Sequence, residues 1–257
     1  MRLWLGIAVL LFATAARAQS TAPAEDTPVA TVVVPVVGTV LGVNDVQWRT
    51  DVELVNEFPS EVNVGLTLPT APGEPSIFLT LGPGERQRFT NLVGEAFGMD
   101  SVLSPLVVMT LGRRSVTIRA TVYGVRGTET FRPQPIAVDY ASGYYPLRNL
   151  QGLSFSDAFR TNVGLVNLSE EPAEFLIALQ KLAGRNVATT RAVLPPRSLW
   201  HAPIQMLFPM ITKGDDFAIV VETGSANTYI YASVIENETN NATFVRGQVA
   251  APPLGGP

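Results

Sequence analysis

The chain has 257 residues, a formal net charge of −4, a single histidine and no cysteine. An acidic balance without a basic stripe excludes a phosphate-neutralising nucleic-acid binder. One imidazole and no thiolate leave a zinc or copper site without ligands, and no disulfide supplements the core.

Residues 1–18 read as a signal peptide. Arg2 supplies the positive start, Leu3–Ala13 the apolar run, and Ala16-Arg17-Ala18 an A-x-A cleavage site before Gln19. No later stretch approaches the ~20 apolar residues of a membrane helix, so no span is expected once the signal is removed. Residues 19–31 (QSTAPAEDTPVAT) are polar and read as a flexible leader.

The next feature is a near-duplicate. "WRTDVELVN" (Trp48–Asn56) returns as "FRTNVGLVN" (Phe159–Asn167), 111 positions later. At that same offset Pro35 meets Pro146 and Leu68 meets Leu179, and one residue of slippage brings Pro83 to Pro195. The same slippage sets Trp200 and His201 opposite Arg88 and Phe89. Later "LVVMTLGRRSVTIRATVYG" echoes "FAIVVETGSANTYIYASVIEN". Common order and spacing indicate a duplicated unit, with repeat 1 at residues 32–126, a Pro-stiffened linker at 127–143, repeat 2 at 144–247 and a disordered tail at 248–257.

Each unit reads as strands. Trp48, Thr50, Val52 and Leu54 alternate with polar residues, as do Val62, Val64, Leu66 and Leu68. Ile77–Leu81, Leu106–Val108 and Val116–Val122 follow, and Phe159–Leu165 repeats the first pattern. Turn clusters separate them, and one helical turn is expected in each unit, at "TNLVGEAFG" and "APIQMLFP". About seven short strands per unit predict an all-β fold of two tandem antiparallel Ig-like β-sandwiches.

Candidate chemistry is sparse. The chain carries no nucleophile elbow, no S-x-x-K, no P-loop and no dinucleotide-binding fingerprint. No cofactor and no enzymatic activity are expected. Oxygen-only calcium loops at Asn44–Asp45 and Asp215–Asp216 lack the spacing of a dedicated site and read as solvated carboxylates. Trp200 with His201 forms a candidate exposed stacking platform. Tyr144 and Tyr145 are candidate contact residues at the junction of the repeats. The shared residues have a structural reading: Arg49 and Arg160 lie across the sheet face and pair locally, Thr50 and Thr161 fill small inward slots, and Asn56 and Asn167 close a strand into its turn.

The W/F-R-T-D-x-x-h-x-N opening, the "PGE" turn, the "AFG" helical turn and the final hairpin resemble uncharacterised secreted bacterial tandem β-sandwich modules. Repeat 2 departs with Asn162 where repeat 1 has Asp51. The resemblance implies an exported or surface-associated bacterial protein and brings no activity. The expected function is therefore a non-enzymatic binding or structural role in the periplasm or outside the cell. The expected partner is another envelope or secreted protein, or a glycan. A periplasmic chaperone of the pilus-assembly kind is the alternative, and an extracytoplasmic hydrolase a more distant one.

Overall fold

The structure is a computed structural model and describes residues 29–111, 116–140, 147–181 and 185–249. The signal peptide, the leader up to residue 28, Tyr144, Tyr145 and the tail from residue 250 lie outside the described residues. The fold is all-β and antiparallel, and it is built twice.

Repeat 1 runs through β1 (Val29–Leu41), β2 (Gln47–Val55), β3 (Val62–Thr67), β4 (Ser76–Leu81), β5 (Arg86–Phe89), the helical turn α1 (Leu92–Glu95), β6 (Val102–Leu111) and β7 (Thr117–Arg126). Three short strands follow: β8 (Glu129–Thr130), β9 (Gln134–Ile136) and β10 (Asp139–Tyr140). Repeat 2 has β11 (Leu147–Phe155), β12 (Phe159–Asn167), β13 (Ala173–Lys181), β14 (Arg185–Leu194), β15 (Ser198–Pro203), α2 (Ile204–Leu207), β16 (Gly214–Thr223), β17 (Thr228–Glu236), β18 (Ala242–Arg246) and β19 (Gln248–Val249).

In repeat 2 one layer is ordered β14-β13-β16-β11-β19 and the other β15-β12-β17-β18. Repeat 1 repeats both orders, as β4-β3-β6-β1-β10 and β5-β2-β7-β9. Here, however, β1 runs on past β6 to pair with β2 and joins the two layers into one sheet. The inward residues expected from alternation fill the cores, Val52, Leu54, Val64, Leu66, Leu106 and Val108 in one and Val163 and Leu165 in the other, where Phe175, Ile177, Ile219 and Val221 join them.

Strand register corrects several sequence matches; Leu81 corresponds to Leu194, so Pro83 matches Pro196, not Pro195. Val34 lies opposite Leu106, and Leu150 lies opposite Ile219, so the first strands correspond at an offset of 116, not 111. Pro35 therefore matches Gln151, not Pro146. Both first strands slip at this point, between Val34 and Val37 and between Leu150 and Leu153. A bulge is where a strand accepts a proline, which has no N–H to donate. That proline, in the middle of an apolar run, hid β1 from the periodic reading. In β15 the register sets His201 opposite Gly164 as Arg88 is set opposite Glu53, so His201 corresponds to Arg88 and Trp200 to Gln87.

The linker and leader boundaries also move. β1 begins at Val29, inside the expected leader, because its first residues pair with Leu111 and Thr110. The expected linker is largely part of the sandwich: β8 and β9 pair with β7, and β10 pairs with β1. Its prolines alternate with residues that satisfy their backbone groups on those neighbours, so the segment extends two sheets instead of spacing two bodies. Likewise Gln248 and Val249, expected in the tail, pair with β11.

The shared Thr and Asn tie these layers together. Thr50 is buried and accepts the Gly38 N–H at 3.1 Å, while Thr161 donates to the Ser154 carbonyl at 2.6 Å. Gly38 and Ser154 are equivalent at the offset of 116, so both threonines clip the second strand to the first. Asn56 and Asn167 are fully buried at the ends of β2 and β12. The Asn56 amide donates to the Ser60, Leu81 and Gly82 carbonyls, and its Oδ1 accepts the Phe58 N–H. Asn167 does the same with Glu171, Leu194, Pro195 and Ser169. One side chain thus fixes two chain segments at the sandwich end. Asn167→Ala is expected to cost about 3 kcal/mol, because buried carbonyls lose their donor. Asn167→Asp, which offers no N–H, should cost at least as much, and urea unfolding of the variants reads both.

Candidate functional site

The outer face of the β5-β2-β7-β9 layer and that of the β15-β12-β17-β18 layer are the same surface written twice. Register pairs Asp51 with Asn162, Glu53 with Gly164, Arg119 with Tyr231, Thr121 with Ser233 and Tyr123 with Ile235. With Arg88 and His201 these positions form one row of side chains in each repeat.

In repeat 1 the row is ionic and open. Arg119 Nη1 lies 2.8 Å from Glu53 Oε2, and Arg88 Nη2 lies 3.1 Å from Asp51 Oδ2. Asp51 Oδ1 also accepts the Asn91 N–H at 2.9 Å, which fixes the start of α1 from outside the helix. Partial burial, then the hydrogen bond and charge of Asp51, push the Tyr123 hydroxyl up to about 12. These groups line a depression of about 350 Å³ with Thr121, Thr130 and Pro133 at its side. Both carboxylates are committed to partners, whereas each exposed guanidinium uses one N–H of its five and keeps the rest for solvent or a ligand.

In repeat 2 the row is aromatic and covered. A Cβ at position 164 would overlap the Tyr231 ring, so glycine there is the space in which the ring lies. Tyr231 is buried between His201 and Phe244, with ring centroids 5.7 and 5.6 Å away, and its hydroxyl shares a 3.0 Å hydrogen bond with His201 Nδ1. Burial raises the Tyr231 hydroxyl well above its ordinary range. This face lies against repeat 1: Val33, Val36 and Val107 meet Val166, Tyr229, Tyr231 and Phe244. Buried Asp139 from β10 closes one side of the contact, paired with Arg246 and 4.0 Å from Arg148. Tyr229, beneath Arg148, is pushed up to about 12 by burial and then by Asp139.

The sequence candidates separate accordingly. Trp200 and His201 do not form one platform, because neighbours on a strand face opposite ways. Trp200 packs on the core of repeat 2, and His201 faces repeat 1. Trp48 fills the space beside Gly42 and Gly124 at the edge of the first sandwich. Among the described residues no group of three or more His, Cys, Asp or Glu is placed to hold a metal ion, and no helix is long and apolar enough to cross a membrane. No protein-family model matches the chain, and no curated protein matches it. Sequence reasoning missed the paired faces. Their visible signal is the loss of both carboxylates inside the repeated motif, Asp51 becoming Asn162 and Glu53 becoming Gly164.

The histidine gives a pH prediction. Burial pushes its imidazole down to about 4, against an ordinary 6.5. Between those values the unfolded chain takes up a proton that the folded chain refuses. Its contribution is thus complete above pH 6.5 and is lost as the pH falls towards 4, by about 2–3 kcal/mol. Denaturant unfolding between pH 7 and 4.5 should show this loss in the wild type, and His201→Gln should remove that part of the slope.

Proposed function

We propose that this chain is an exported, non-enzymatic binding or structural protein of a bacterial periplasm or cell surface, and that the ionic face of repeat 1 is its contact surface. The partner is another envelope or secreted protein. The A-x-A leader supports export. The observation that carries the binding role is the state of the charged row. Asp51 and Glu53 are held by Arg88, Arg119 and the Asn91 amide, while the guanidinium donors face outward over a depression of about 350 Å³. Carboxylates so engaged orient arginines for recognition and are poorly disposed to act as nucleophile or proton donor, which weighs against the hydrolase reading.

The chaperone reading keeps one specific support. β14 is a ten-residue strand at the end of its sheet, paired among the described residues with β13 alone and exposing Val187 and Val193, and an open edge of this kind accepts an added strand. That role predicts binding to unfolded client segments; the ionic-face role predicts binding to a folded partner.

The test is retention on isolated envelope fractions. The double variant Arg88→Glu, Arg119→Glu is expected to lose about tenfold or more in apparent affinity. Lys213→Glu, a reversal in the loop before β16 and away from both surfaces, should bind as the wild type does. Equal retention of both variants would move the contact elsewhere. N-terminal sequencing of the secreted form should begin at Gln19.

A further inference from the structure

The arginine that opens the duplicated motif is used differently in the two repeats. Arg160 reaches across the β17–β18 turn and donates to Asn237 Oδ1 at 2.9 Å and Asn240 Oδ1 at 3.1 Å. Arg49 occupies the same register position, opposite Tyr123 as Arg160 is opposite Ile235. Among the described residues it makes neither a hydrogen bond nor an ion pair, and its buried Nε has no partner. Desolvating a guanidinium without an anion is unfavourable, and a structural arginine is normally satisfied as Arg160 is.

Arg49 is also part of the wall of a crevice of about 100 Å³ between the repeats. The rest of the wall is mainly apolar, with Val36, Val40 and Leu103 on one side and Ile235, Ala242 and Phe244 on the other. His201 faces it as a neutral imidazole, and Asn162 adds one amide. An apolar hollow at a domain interface with a few convergent polar groups is the usual form of a small-molecule site. The enclosed volume is below the ~150 Å³ of a dry cavity that accepts benzene, so it takes a short branched chain or one edge of a six-membered ring, with the rest at the solvent-open mouth.

We propose that this crevice binds a small monocarboxylate, its carboxylate on the Arg49 guanidinium and its ring or branched chain between Leu103 and Phe244. Among the described residues the one charged side chain in the wall is a cation, which selects the acid over its neutral analogues. Its fork of donors matches a carboxylate in two parallel hydrogen bonds. Arg49 neighbours Tyr123 of the ionic row, but the crevice shares no lining residue with the depression of repeat 1, so either proposal can fail without the other.

Trp48 lines the crevice and reports on it by fluorescence. Benzoate and 3-methylbutanoate are the probes, with benzamide as the uncharged control, on the whole secreted chain. Benzoate is expected to bind with a dissociation constant below about 1 mM and to raise the melting temperature. Benzamide should bind about 10- to 100-fold more weakly, and Arg49→Gln should cost benzoate the same factor. Arg49→Gln should melt no lower than the wild type, since no bond is lost, and Arg88→Gln should leave benzoate binding unchanged. A peptide ending in phenylalanine, free acid against C-terminal amide, separates the two sources of such a group. Binding of benzoate alone assigns the site to free acids; binding of the peptide acid as well extends it to polypeptide termini. Equal binding of benzoate and benzamide, undiminished binding by Arg49→Gln, or no binding at about 10 mM would each overturn the assignment.

Discussion

A sandwich without disulfides must hold its two layers in place by packing and by buried hydrogen bonds, and here the second task falls to one asparagine in each repeat. Asn56 and Asn167 are fully buried and join the end of the motif strand to the turn that follows it and to the end of the fourth strand. A cystine would restrain only two points of the chain. A primary amide has two donors and a carbonyl, so it satisfies several backbone groups that would otherwise be buried without partners. The threonine six residues earlier ties the same strand to the first strand of its repeat. The doubled nine-residue stretch is thus the hinge of each sandwich. Apolar alternation fills the core between its two clips.

What the repeats do with their common frame differs by a handful of side chains. Replacing glutamate with glycine at the centre of the face removes a charge and opens a hollow. Replacing arginine with tyrosine on the next strand fills it. The face then offers three stacked rings to another sheet in place of two ion pairs to water. Exposed ion pairs contribute ~0–1 kcal/mol each, whereas burying one aromatic side chain contributes ~1.5–3 kcal/mol. The aromatic version therefore favours a stable contact between the repeats. The ionic version keeps its face hydrated and selective.

The alternation of Val62–Leu68 and of Phe159–Leu165 was legible because polar residues or glycine separate the apolar ones, although from Val163 on β12 is buried on both sides, where its outer face meets repeat 1. β1 was not legible, because Pro35 breaks its pattern at a bulge. β5, with only Arg86–Phe89, is too short and too charged for a periodic signal. The segment from Gly127 to Tyr140 looked like a linker because its prolines and polar residues satisfy turn statistics, while its pairing partners lie on strands far away in the chain. Matching His201 to Arg88 needed the register, since loops of unequal length change the offset, from 111 at the motif strand to 113 at β5 and β15. The unequal use of Arg49 and Arg160 could not be read at all: it depends on the two asparagines of the β17–β18 turn, which repeat 1 does not supply at the equivalent turn.

The buried glycine at position 164 also gives the pair of sandwiches a direction. The contact is made by the aromatic face of one repeat and the valine-bearing back of the other, two different surfaces, so it has a donor side and an acceptor side. A contact between two different surfaces of like units extends in series only where each unit presents both surfaces. Repeat 1 bears Glu53 and Arg119 where an acceptor needs a glycine and a ring. A third sandwich offered the same way would meet two fixed charges that it would have to desolvate. On that side the chain can add a partner only through a contact of another chemical kind.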